Sequence, residues 1–91
     1  MPRQYRNKFV DGFEVEAAKL GPHNAMELAR WTGGISRMLV AGPPVPVRTR
    51  RWGWMDAKDG AWIVQFDDGT WDVYQESAFL GSFEPVEAAT P

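Results

Sequence analysis

Arg48, Thr49, Arg50, Arg51, Trp52 and Trp54 are the residues of this chain whose types and spacing point most directly to chemistry. On one regular strand Arg48, Arg50, Trp52 and Trp54 point the same way, because side chains alternate along a strand. Guanidinium groups bind phosphates, and indoles stack on bases, so such a face resembles a small nucleic-acid platform. The same residues also suit a protein contact or a structural role, and the overall acidity of the chain favours these. In a structural role the tryptophans join the core, and the arginines lean across the sheet onto Glu14, Glu16 or Asp72.

The other reactive side chains are sparser. His23 is the only histidine; with just Asn24 and Glu27 nearby it has no ligand spacing and reads as a polar loop residue before a helix. Asp67, Asp68 and Asp72 offer three carboxylates around a turn but lack calcium-loop spacing, so turn chemistry explains them. Glu14 and Glu16 share one side of a strand, which reads as its solvated face. Gly33-Gly34 follows a helix instead of opening one, the wrong polarity for cradling phosphate. Ser36, Ser77 and Ser82 have no His–Asp partner set. The expectation is a protein with no catalytic residues, no bound cofactor and no metal, hence not an enzyme.

The elements that must position the Arg/Trp segment are organised around Ala61 to Gln75. Asp68-Gly69 suits a two-residue type I′ turn, which makes this stretch a β-hairpin. That loop pairs Phe66 with Trp71, Val64 with Val73 and Trp62 with Gln75, and places all of them on one apolar face against Leu28. Before it, Phe9 to Leu20 alternates as a half-buried strand with Phe13, Val15 and Ala17 inward. Asn24 and Glu27 suggest a capping box for a helix over 25–32, ended by Gly33-Gly34. Ile35 to Val40 reads as a second strand. Val47 to Met55 reads as a third, bent at Gly53. Glu76 to Leu80 reads as a helical turn, and Phe83 to Val86 as a short edge strand. The class is α+β: a mostly antiparallel sheet of about five strands with one short helix on a face. Residues 1–8 are expected to be a flexible basic segment, 9–87 a single domain and 88–91 a tail.

Composition sets the limits. Ninety-one residues with 44% hydrophobic content suffice for one core. Without cysteine, neither a disulfide framework nor a thiolate metal site can form. A net charge of −2 argues against a general polyanion binder. No stretch approaches the length of a membrane span, and the basic start has no apolar run behind it. Five tryptophans are many for this length, so most belong to the core and one or two to a contact surface.

In order along the chain stand Val15-Glu16-Ala17, Trp31-Thr32-Gly33-Gly34, Gly60-Ala61-Trp62-Ile63-Val64, Asp68-Gly69, Phe79 and Phe83-Glu84-Pro85-Val86. This set resembles a family of small tailed-phage and prophage proteins with a PGDYG or PGDW-I-V type signature. Asp59 stands where that family has proline, and Ala61 where it has aspartate. The resemblance implies a phage origin and a life in the cytoplasm of an infected bacterium, and it brings no active site. The expected function is therefore that of a small accessory protein that binds another macromolecule, foremost a host or phage protein. Self-association into a dimer through an edge strand or a tryptophan-bearing face is also expected. The alternative is a nucleic-acid-binding module using residues 48–54.

Overall fold

The computed structural model describes residues 2–38 and 41–86. Among these residues seven strands form one mixed sheet: β1 (Arg3–Asn7), β2 (Glu14–Lys19), β3 (Val45–Thr49), β4 (Gly53–Ala57), β5 (Trp62–Gln65), β6 (Trp71–Tyr74) and β7 (Phe83–Pro85). Their order across the sheet is β4-β3-β6-β5-β2-β1-β7. Neighbours run antiparallel except β3 and β6, which run parallel. Among the described residues two helices accompany the sheet, α1 (Ala25–Thr32) and α2 (Glu76–Ser82), with a 3-10 turn at Ile35–Arg37. The α+β class stands, with two more strands than expected.

The sheet is covered on both faces. Because β5 carries Trp62, Ile63 and Val64 buried in succession, alternate residues must feed opposite cores. Ile63 joins Ala18, Leu28, Ala29, Val45 and Val47 beneath α1. Trp62 and Val64 join Val15, Ala17, Phe66, Phe79 and Phe83 on the other side. There Phe79, the one buried residue of α2, stacks on Trp62 with centroids 4.3 Å apart. Glu76 opens α2 and ties it to the sheet: its carboxylate pairs with Lys19 at 2.6 Å and accepts from the Trp62 indole N–H at 3.4 Å.

The Lys19 contact, then the Trp62 bond, hold the Glu76 carboxyl below the ordinary carboxylate range. A depressed folded-state pKa adds stability above the unfolded value and loses it as pH falls through the folded one. The stability gap between wild type and Glu76→Gln should therefore be wider at pH 7 than at pH 3, as read by denaturant unfolding at each pH.

The hairpin register differs by one residue from the sequence reading. Observed partners are Gln65 with Trp71, Val64 with Asp72, Ile63 with Val73 and Trp62 with Tyr74. The cause is the turn. The Gly69 N–H donates to the Phe66 carbonyl at 3.0 Å, and the Phe66 N–H to the Thr70 carbonyl at 2.8 Å. Only Gly69 has positive φ, at 85°, whereas a type I′ turn needs both central residues there. Three residues thus form the loop, and the slip sends Trp71 and Val73 to the α1 face, away from Trp62, Val64 and Phe66. Asp68 serves differently: its carboxylate accepts from the Thr70 hydroxyl at 2.6 Å and the Thr70 N–H at 3.0 Å, which lowers its pKa. Gly69→Val should still lose about 1–3 kcal/mol, because a β-branched residue is forced to positive φ; an unchanged melting temperature would contradict the turn.

Other expectations need correction. Arg3–Asn7, expected to fray, is instead a strand inserted between β2 and β7. Val47 to Met55 is not one bent strand but parts of β3 and β4, folded back on each other. Ile35–Arg37 is 3-10 rather than strand, and Leu39 and Val40 lie outside the described residues, as do positions 88–91. Asn24 sits at the α1 N-cap without a side-chain cap bond. Its amide instead accepts from the Gly21 N–H at 2.8 Å and donates to the Lys19 carbonyl at 2.9 Å, fixing the β2–α1 connection.

Candidate functional site

The Arg/Trp segment is the β3–β4 hairpin, which forms one border of the sheet. Val45, Val47 and Ala57 point into the α1 core and anchor it. Arg50, Arg51 and Trp52 make its tip. Buried Thr49 builds that tip: its hydroxyl donates to the Gly53 carbonyl at 2.9 Å and accepts from the Trp52 N–H at 3.0 Å. Gly53 closes it with φ of 70°, a conformation glycine adopts without strain.

Across this hairpin Arg48 lies directly opposite Trp54, so the two project from the same face. Arg48, Arg50 and Arg51 are exposed. Trp52 is 71% exposed and Trp54 42%. The turn means that Trp52 does not continue the Arg48–Trp54 face, as a single strand would require. Two further contacts preorganise the surface. The Arg37 guanidinium lies 4.2 Å from the centre of the Trp54 ring, and that of Arg50 lies 4.0 Å from the centre of Phe66. Stacked guanidinium planes keep their N–H edges free for an anion. Among the described residues none of these four arginines forms an ion pair. Glu14, Glu16 and Asp72, the acidic partners considered from the sequence, form no ion pair with them among the described residues.

Arg37 was missed because it is distant in sequence from the hairpin. The signal that finds it is charge distribution. Residues 28–55 hold five arginines and no acidic residue, half of the chain's ten basic groups and none of its twelve acidic ones. A cleft of about 340 Å³ opens beside the tip, lined by Thr32, Arg48, Arg50, Trp54, Thr70 and Trp71. Trp71 is held from behind by Trp31, edge-on at 4.8 Å. The tryptophans therefore divide: Trp31, Trp62 and Trp71 pack, while Trp52 and Trp54 meet solvent.

The remaining candidates lie elsewhere. Glu14 and Glu16 line a polar groove of about 470 Å³ with Gln4, Gln65 and Asp67, on a part of the sheet face beside β1. His23 is exposed just before α1. Asp67 and Asp68 are exposed at their turn, but Asp72 is buried, opposite Val64. Among the described residues no group of three or more His, Cys, Asp or Glu side chains could hold a metal ion. Also among them, no helix is long and apolar enough to cross a membrane.

Fold and site together define a small α+β protein with an arginine- and tryptophan-bearing hairpin at the border of its sheet. No family model, curated protein or solved structure matches the chain.

Proposed function

We propose that this chain is a small non-catalytic accessory protein that binds another protein through the β3–β4 hairpin, with Arg48, Arg50, Arg51, Trp52 and Trp54 as contact residues. The observation that carries this is the pairing of two exposed indoles with guanidinium groups that form no ion pair among the described residues. Tryptophan and arginine dominate the energetic centres of protein interfaces. The partner supplies the missing carboxylates and covers the indoles. The resemblance of the motif order to that of small tailed-phage proteins supports the cytoplasm of an infected bacterium as the setting, with a host or phage protein as partner.

A second reading, single-stranded nucleic acid, is favoured by the acid-free run from 28 to 55. Against it, carboxylates border the patch. Asp56 follows within β4, and Asp68 lies close enough to Arg50 to feel its charge. A phosphate backbone longer than the hairpin would run into these groups.

The test uses immobilised protein and nuclease-treated bacterial lysate. Wild type should retain a specific protein that Trp52→Ala and the Arg48/Arg50/Arg51→Gln triple variant both lose. The triple variant should lose no more than about 1 kcal/mol, because Arg48 and Arg51 are exposed and Arg50 gives up only its stack on Phe66. Wild type should not retain single-stranded DNA at about 150 mM salt, where a few phosphate contacts are already weak. Capture that disappears with nuclease, together with salt-sensitive DNA retention, would support the second reading instead.

A further inference from the structure

The backbone of β4 carries the next step. The Arg50 N–H donates across to the Trp71 carbonyl at 3.1 Å, toward β6. Backbone groups alternate along a strand, so Pro46, Arg48 and Arg50 face β6, and Val45, Val47 and Thr49 face β4. Pro46, which has no N–H to give, falls on the side where β4 asks nothing of it. Ala57, Met55 and Gly53 are the β4 residues opposite Val45, Val47 and Thr49. It follows that Trp54 and Asp56 turn their N–H and C=O groups outward, away from the sheet.

We propose that this outer edge of β4 is a pairing site for an extended acidic polypeptide segment, which adds to the sheet as an eighth strand. The proposal rests on the reading of the hairpin as a protein contact. Only another polypeptide can continue the main-chain ladder; a nucleic acid cannot. The edge is also the better of two. β4 is outermost and largely exposed, whereas β7 at the other border has three residues and ends in Pro85. Charge selects the occupant. Side chains of an incoming strand beside Trp54 meet Arg37, stacked on that ring, and Arg48, directly across from it. Acidic side chains answer both; Asp56, two residues on and on the same face, opposes only the side chain directly beside it. A second copy of β4 would instead bring the same arginines alongside these, which like charge opposes.

The experiment follows amide exchange at Trp54 and Asp56 in the ¹⁵N-labelled full chain, with a short peptide of alternating glutamate and valine as probe. The peptide should protect both amides, and one of alternating lysine and valine should not. Asp56→Pro removes one outward N–H while sparing the β3 ladder, a position where edge strands accept proline. It should weaken peptide binding about tenfold, the worth of one to two hydrogen bonds. Asp56→Ala keeps the N–H and should bind at least as tightly as wild type. Absence of protection, or equal binding by Asp56→Pro, would overturn the proposal. So would protection that grows with protein concentration without peptide, which would assign the edge to a second copy. A lysate partner that needs Trp52 but ignores Asp56→Pro would leave the hairpin reading standing and remove the edge pairing alone.

Discussion

Phe79→Ala should lower stability by about 3–5 kcal/mol, the range for large buried aromatics. Phe79 is fully buried and is the only buried side chain that α2 contributes. It stacks on Trp62 and on Phe83, at 4.3 and 5.1 Å, and meets Tyr5 and Tyr74 edge-on at 5.0 and 6.1 Å. Removing the ring leaves a cavity among stiff aromatic neighbours that cannot collapse into it. It also frees α2, which spans seven residues and cannot persist without tertiary packing. Denaturant unfolding gives the number. A loss below about 1 kcal/mol would mean that α2 is not the cover of this face, since cavity formation at a packed site costs more.

Gly34→Ala should cost stability toward the upper end of the roughly 1–3 kcal/mol typical of overpacking. Its φ of −84° suits any residue, so backbone strain is not the reason. The reason is contact: a Cβ at Gly34 would press directly onto the Pro46 carbonyl, part of the backbone of β3. Either the link after α1 or β3 must move, and β3 positions the Arg/Trp hairpin. The variant should therefore lose partner binding together with stability. An Ala variant as stable as wild type, measured by thermal melting, would show that α1 and β3 approach less closely than described.

These two positions show what the sequence could and could not convey. The α1 boundaries, its left-handed Gly33 end and the inward set Phe13, Val15 and Ala17 follow from local periodicity and glycine chemistry. The edge strand at Phe83–Pro85 follows from proline. The hairpin register did not, because an Asp-Gly pair fits both a two-residue loop and a three-residue loop with a glycine bulge. One residue separates them, and one residue reverses every face. Burial of Trp62, Ile63 and Val64 in a row marks a strand covered on both sides, and that pattern carries no alternation to read. β1 was hidden because its residues are mostly polar: Gln4 and Arg6 are exposed, and Tyr5 alone reaches the aromatic core.

The candidate site was legible in its residue types and less so in its geometry. Arg48 and Trp54 do share a face, but as partners across a hairpin rather than successive positions on one strand. The tip exists because Thr49 bonds back to Trp52 and Gly53, an arrangement that a run of arginines and tryptophans disguises. Arg37 enters only through the fold, when the turn after α1 brings it onto Trp54.

The most direct test of the hairpin as the contact surface is a hydrogen-exchange footprint of the whole chain with its captured protein partner. Protection should concentrate between Arg48 and Asp56, at the tip and along β4. Protection centred instead on the polar groove of Gln4, Glu14, Glu16 and Gln65, with the hairpin unchanged, would contradict the assignment.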